Sequence, residues 1–169
     1  MKDQLLETWQ INNRMNLLLM DNITDAGMQK SLSIPAETNP SGRRGGRTVY
    51  LQLVHVHNVR MGWLEICAKD IFSAGSGGKK YKALDKEKAY DRKALRKAFE
   101  DSAKGIEELF ARSWDNAGKI TGFKKGLIPM LGYFISHESH HRGNIMLTLK
   151  QSGEKIPNAV KWGLWEWGK

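Results

Sequence analysis

Apolar residues recur with helical spacing along four long stretches of the chain. In the first, from Asp3 to about Asp21, Leu5 and Trp9 begin one apolar stripe, and Asn12 and Asn16 lie near the same stripe. This pattern predicts an amphipathic helix. We expect the two amide side chains to make solvent or capping contacts rather than to line a polar site.

The second long helix is predicted from about Thr48 to Phe72, with Thr48 as its N-cap. Apolar residues surround this segment almost completely, which indicates a helix buried among several others. Before it, the pattern predicts a short helix from Asp25 to Leu32 and then a loop, IPAETNPSGRRGG, rich in proline and glycine.

The third and fourth long helices differ in the width of their apolar surface. The third, about Lys86 to Asn116, has one apolar stripe opposite a charged face and contains no histidine, which is typical of a packing helix. The fourth runs from Leu127 to about Gln151, where Ser152 and Gly153 end it.

Four long helices without a convincing strand or repeat predict an all-α fold, a four-helix bundle, in one domain spanning residues 1–169. The connection Ser73 to Asp85 can extend about 40 Å, the length of such a bundle, so helices two and three can be parallel. The tail contains Trp162, Trp165 and Trp167. We expect these rings to close one end of the core rather than to line a cleft or form a dimer contact.

Lysine and arginine number 27 against 18 acidic residues, which gives a formal net charge of +9. Such a balance makes nucleic acid a partner to consider. The basic residues are spread through loops and along one helix of mixed charge, and no aromatic-basic platform accompanies them. The sequence therefore favours a solvated basic surface, with nucleic acid an unlikely partner.

Cysteine usage and hydropathy indicate the compartment. A single cysteine, Cys67, excludes an internal disulfide and is typical of a reducing environment. The N-terminus has charges where a signal peptide has an apolar core. Pro129 and Gly132 interrupt the longest apolar run, 127–135, so no membrane span is predicted. We expect a cytoplasmic protein.

All five histidines lie in two apolar segments that are far apart in sequence. His137 and His141 are four residues apart, so they project from one helix face and can both reach a cation at the ~2.0–2.1 Å typical of zinc. His140 is rotated away from His137 in the other sense and is better placed to brace a neighbour or to meet solvent. His55 and His57 are two apart, so at most one can join the same ion.

One interpretation of the late segment is the zinc-peptidase pattern H-E-x-x-H, in which Glu138 would activate a water molecule. The longer form of that pattern is missing, because Asn and Leu occupy positions 144 and 147. A glutamate third ligand would come from Glu154 or Glu166, in a loop or the tail, and no sheet is predicted to hold a peptide. This interpretation is therefore a minor alternative.

A second interpretation rests on more residues. HESHHRGNI closely resembles the H-x-x-H-H-R-G-Q segment of the DinB-like (damage-inducible) superfamily, and HVHNVRMGWLE resembles that family's second-helix histidine segment. In the family a tryptophan follows the ligand by eight positions. Trp63 follows His55 by eight, so the resemblance selects His55 over His57. Asn144 replaces the family's usual glutamine.

The resemblance implies a bundle of up-down-down-up topology, a homodimer, and a divalent metal held by His55, His137 and His141. Zinc, nickel, iron and manganese all accept imidazole ligands. Family members with an assigned activity resemble metal-dependent transferases or isomerases that use a low-molecular-weight thiol such as bacillithiol, mycothiol or glutathione. The expected function is therefore thiol transfer or hydrolysis on a small-molecule substrate.

Other polar residues near the two segments are candidates for contacts with the ligands or the substrate. Arg60 and Arg142 are candidates for holding carboxylates of a thiol, although surface or interhelical pairing is the favoured role for each. The full set of these candidates is His57, His140, Asn144, Glu138, Arg60 and Arg142. Two further hypotheses stay open: a non-catalytic bundle stabilised by metal, and a basic helical protein that binds nucleic acid.

Overall fold

A computed structural model of the chain describes residues 1–32 and 46–168. The regular structure in this part of the chain is helical apart from one isolated bridge between Ser76 and Lys79, so the predicted all-α class is confirmed. No helix among these residues has both the length and the hydropathy needed to cross a bilayer. The helices are α1 (Lys2–Asp21), α2 (Asp25–Met28), α3 (Val49–Cys67), α4 (Lys69–Ala74), α5 (Arg92–Asp115), α6 (Leu127–Gln151) and α7 (Asn158–Gly163).

Several predicted boundaries are confirmed because local signals set them. α1 and α6 match the first and fourth predicted helices, and Gly153 follows α6 with φ +76°. The Thr48 hydroxyl accepts a hydrogen bond from the Leu51 amide at 3.2 Å, as expected of an N-cap. α2 is shorter than predicted. The predicted loop falls on residues 34–46, and all but the last of these lie outside the described residues.

The second long helix was predicted to reach Phe72, and this is wrong. α3 ends at Cys67 because Ala68 leaves the helical region, at φ −151° and ψ 64°, and the chain turns directly into α4. Neither proline nor glycine marks this break. The interruption is therefore set by tertiary packing, since Ala68 and Ile71 are both buried in the core.

The third long helix was predicted to start near Lys86, and this is also wrong. α5 begins at Arg92, where the Asp91 carboxylate accepts a hydrogen bond from the Ala94 amide at 3.0 Å. Asn58 of α3 holds the residues before it, bonding both backbone groups of Leu84 at 2.9 and 2.7 Å. These bonds keep the backbone at Leu84 alongside α3, in a non-helical segment.

The long helices α1 and α3 each pack against both α5 and α6. Contacts between α1 and α5 occur in reverse sequence order: Lys2 bonds Asp115 at 2.7 Å, whereas Asp21 at the other end of α1 bonds Arg96. Contacts of α3 and α4 with α5 follow the same order along the chain: Arg60 lies over Phe99, Leu64 lies beside Gly105, and Asp70 of α4 pairs with Arg112.

The buried residues form two apolar clusters, one containing Trp9, Phe110 and Phe134 and the other containing Phe99 and Leu149. On each of α1, α3, α5 and α6, buried polar residues lie between members of the two clusters. We call those whose side chains hydrogen-bond to one another across the helices the polar layer. Its members are Asn12, Asn16, Arg60, Ser102, Glu138 and Arg142.

The tail does not close the core as predicted. Trp162 and Trp165 are 70% and 78% exposed, and Trp167 is 41% exposed. The buried residue of α7 is Val160 instead. Because α7 has only six residues, it contributes one side chain to the core, and the Trp162 ring on the same helix is exposed.

Candidate metal centre

Three histidines from two helices converge at one point. His55 lies on α3, and His137 and His141 lie one turn apart on α6. One ring nitrogen from each lies within 4.8 Å of the corresponding atoms of the other two. The Nε2 atoms of His55 and His137 are 3.3 Å apart. The structure therefore brings together the set that the resemblance implied, with His55 rather than His57.

The geometry of this cluster fits a divalent metal ion. Two nitrogens that each lie ~2.0 to 2.1 Å from a tetrahedral ion are about 3.3 to 3.4 Å apart, close to the distance between His55 and His137. The Nδ1 atoms of His137 and His141 are buried and have no hydrogen-bond partner among the described residues. The buried Nδ1 atom of His57, outside the cluster, also has no partner among these residues, so the fit of the cluster to a metal rests on the distances between its ring nitrogens.

The surroundings of the cluster favour neutral imidazoles. Burial lowers the pKa of His141 to about 4, and the nearby His137 and His55 rings add to this effect. Burial, followed by the charge of Arg47, lowers the pKa of His55. Burial also lowers the pKa of His137, against a smaller opposite effect of the Glu138 charge. All three rings are therefore unprotonated at neutral pH, the form that binds a metal.

The other two histidines do not join the cluster. His57 is 2% exposed, and its Nε2 atom lies 3.1 Å from the Lys82 carbonyl oxygen. Burial lowers the pKa of His57 to about 4. His140 is exposed, and its Nε2 accepts a hydrogen bond from the Asn144 amide at 2.9 Å. Asn144 therefore contacts His140, whose ring lies edge-on to His141 at 5.4 Å between centroids.

Glu138 follows His137 in sequence but lies in the polar layer. It is fully buried, and Arg60 binds both of its carboxylate oxygens at 2.7 and 2.8 Å. The side-chain amides of Asn12 and Asn16 each donate to the carboxylate at 2.6 Å. Because four donors bind it, the carboxylate is occupied in holding the helices together. The peptidase role that the sequence suggested for it is therefore not supported.

Arg60 and Arg142 also belong to the polar layer. Surface or interhelical pairing was the favoured prediction for each, and the ion pair of Arg60 with Glu138 on another helix confirms it for Arg60. Arg142 donates to the side-chain oxygens of Asn12 and Asn16 at 2.9 and 2.8 Å. The prediction of solvent or capping contacts for these two asparagines is wrong. Their spacing of four residues within an apolar stripe was the available signal, because a helix face that is buried also buries its polar members.

Three partly exposed aromatic side chains extend along the surface from the histidine cluster. The Tyr133 ring is nearly parallel to the His137 ring, with 5.9 Å between centroids and 13° between planes. Trp63 contacts Tyr133 edge-on at 5.8 Å and Phe123 at 5.3 Å. We call Trp63, Phe123 and Tyr133 the aromatic wall. The sequence pointed to Trp63, but only the fold shows its two neighbours.

The model of the DinB family matches residues 1–166, nearly the whole chain, with both histidine segments inside the match. No curated protein and no solved structure matches the chain.

Proposed function

The chain belongs to the DinB family, and from this membership and its three-histidine cluster we propose that it is a metal-dependent enzyme of thiol transfer or hydrolysis. The observation that carries the proposal is the convergence of ring nitrogens from α3 and α6 within 4.8 Å. His55, His137 and His141 would hold a divalent ion of zinc, nickel, iron or manganese, all of which bind imidazole. When bound, such an ion acts as a Lewis acid that favours the deprotonated form of a thiol or water.

The residues around the cluster support an anionic co-substrate such as a low-molecular-weight thiol. The imidazole ligands are neutral, so the charge of an ion would be uncompensated by the protein. Arg47 and Lys86 are close enough to His55 to lower its pKa, so the local field is positive. Among the described residues, Glu138 is the acidic group that raises the pKa of His137, and Arg60 pairs with it. A negatively charged thiolate would be attracted to this region.

A purely structural role for the metal has less support. The polar layer already joins α3 to α6 through the buried ion pair of Arg60 and Glu138. The helices that carry the histidines are therefore fixed without an ion. Three ligands of one residue type that leave open coordination positions are typical of catalytic rather than structural zinc sites.

The arrangement of the chain around the site extends the proposal. We place α1, α3, α5 and α6 as the four helices of an up-down-down-up bundle, supported by the order of their contacts. A homodimer is a further prediction, and the exposed rings of Trp162 and Trp165 offer an apolar surface for it.

Metal content tests the proposal first. The purified protein, dialysed against a single divalent ion, should retain about one ion per chain. His137→Ala and His141→Ala should each lose most of it, whereas His57→Gln and His140→Ala, matched changes of histidines outside the cluster, should not. Full retention of metal by both α6 cluster variants would remove the site.

Activity tests the proposal second. The metal-loaded protein is incubated with bacillithiol, mycothiol or glutathione and an electrophilic acceptor, and the loss of free thiol is followed. We expect conjugation with at least one thiol, lost on chelation and restored by adding metal back. Conjugation that is unchanged in His141→Ala would show that the cluster is not responsible.

A further inference from the structure

The aromatic wall differs from the aromatic residues of the core in its exposure. Trp9, Phe110 and Phe134 are fully buried, whereas Tyr133 is 36% exposed and Trp63 and Phe123 are half-buried. The centroids of the three wall rings lie 5.3 to 6.4 Å apart, and the Tyr133 centroid lies 5.9 Å from that of the His137 ring. A continuous apolar surface is thus accessible immediately beside the candidate metal centre.

The wall is assembled from three separate parts of the chain. Trp63 comes from α3, Tyr133 from α6, and Phe123 from the loop between α5 and α6. Gly122 has φ +78°, and a Cβ atom on it would lie 2.8 Å from the Ile66 side chain. The loop therefore approaches α3 this closely only because residue 122 is a glycine.

A second glycine fixes the far end of the same loop. Gly126 has φ +81°, and a Cβ atom on it would lie 2.7 Å from the Gly118 carbonyl oxygen. That oxygen accepts a hydrogen bond from the Leu127 amide at 2.9 Å. Phe123 thus lies between two positions, 122 and 126, where the backbone requires glycine. The fold therefore fixes the position of Phe123 beside Trp63.

The chemistry of these side chains identifies what would contact them. Tyr133 and Trp63 present ring faces and edges, which attract flat apolar groups by stacking and edge contacts. Ligand sites in proteins combine such apolar surface with a few groups that bind a polar head. Here the polar head would be bound at the histidine cluster, and the apolar part would extend over the wall.

We propose that the aromatic wall is a subsite for an aryl or similarly flat apolar group on the ligand that binds at the three-histidine centre. This inference rests on the proposed function and adds the substrate class. The occupant is a small molecule with an anionic or metal-binding head and an aromatic body. Trp63 and Tyr133 determine specificity, and Phe123 supports the position of Trp63.

Two hydroxamates that share a metal-binding head test this subsite. Benzohydroxamate carries a phenyl ring where acetohydroxamate carries a methyl group, so the ratio of their Kd values isolates the apolar part. Each is titrated into the metal-loaded protein by calorimetry. We expect benzohydroxamate to bind at least ~10-fold more tightly, the size expected for burial of one ring. Trp63→Leu and Tyr133→Leu should each reduce this ratio severalfold, with acetohydroxamate binding unchanged.

Trp165→Leu, an exposed tryptophan outside the wall, is the matched control and should keep the full ratio. Circular dichroism verifies folding, and Tyr133→Leu, a change at a partly exposed position, keeps the test valid if Trp63→Leu does not fold. Equal Kd values in the parent protein, or an unchanged ratio in the folded wall variants, would overturn the subsite alone. Failure of the parent protein to bind metal would overturn the proposed function, and the subsite with it.

Discussion

His137 and Glu138 are neighbours in sequence, yet their side chains lie in different environments. Glu138 belongs to the polar layer, where Arg60, Asn12 and Asn16 supply its carboxylate with four hydrogen bonds. His137 belongs to the histidine cluster, where its Nδ1 atom is buried without a partner in the described part of the chain. A rotation of about 100° along α6 separates the two environments.

This difference distinguishes side chains that pair with one another in the core from ring nitrogens that are grouped within reach of one ion. The carboxylate of the polar layer is fully bonded within the protein, whereas the three cluster histidines bring ring nitrogens within 4.8 Å of one another. Substitutions should therefore affect stability in the layer and ligand binding in the cluster.

The largest expected effect is on folding, from Glu138→Ala. This change leaves the Arg60 guanidinium buried without its carboxylate, which typically costs about 3–5 kcal/mol. Urea unfolding of the metal-free protein measures the change. Glu107→Ala, at a half-buried position of α5 where the carboxylate accepts one hydrogen bond from Gln10, is the control and should lower the free energy of unfolding far less.

A double variant sharpens this prediction. Arg60→Met combined with Glu138→Met removes both charges, so it should be less destabilising than the sum of the two single changes by roughly 0.5–3 kcal/mol. Strict additivity of the two single changes would mean that the pair is not coupled.

The second largest effect is on metal binding, from His137→Ala. Removal of one of three ligands should weaken the affinity for zinc by more than about 100-fold, since even loss of an indirect contact costs 10–100-fold. In the metal-free protein the same change should alter the free energy of unfolding by less than ~1 kcal/mol. Zinc at 100 times its Kd should stabilise the parent protein by about 2.7 kcal/mol and leave the variant nearly unaffected. Calorimetry and urea unfolding check the two quantities.

A smaller effect on folding is expected from Asn16→Ala. This removes one amide donor to Glu138 and one acceptor for Arg142, but leaves both charged groups with other partners. The free energy of unfolding should fall by about 1–3 kcal/mol. A loss as large as that of Glu138→Ala would show that the amides, rather than the ion pair, hold the layer together.

The smallest effect is expected from Asp25→Asn, at an exposed ion pair. Hydrogen bonding to Arg92 lowers the pKa of the Asp25 carboxyl below its ordinary value. Its contribution to stability is therefore present above about pH 4, the unfolded pKa, and is lost as the pH falls through the lowered value. Thermal unfolding at pH 7 should show at most a slight decrease, which disappears at low pH. A decrease that grows towards low pH would contradict this sign.

The sequence predicted those features that local signals determine. Ser152 and Gly153 ended α6, and Thr48 capped α3, because capping depends on residues within one turn. The start of α5 was misplaced because the charged residues before Asp91 favour helix by propensity, whereas the bonds from Asn58 to Leu84 hold the backbone otherwise. The exposed Trp162 and Trp165 show that large apolar residues are not always buried.

The candidate site was predicted only in part, because local spacing determines only some of its contacts. Helical spacing placed His137 and His141 on one face, but it left His55 and His57 as alternatives, and only the family resemblance chose between them. The structure shows why His57 differs: it meets the Lys82 carbonyl from the long connection, a contact that no local pattern encodes. The polar layer escaped prediction because its members come from four helices.

A crystal of the metal-loaded protein, measured at the absorption edge of the added metal, tests the central claim most directly. We expect one anomalous peak per chain, about 2.0–2.1 Å from a ring nitrogen of each of His55, His137 and His141 if the metal is zinc. A peak at another position, or three rings with no peak between them, would contradict it.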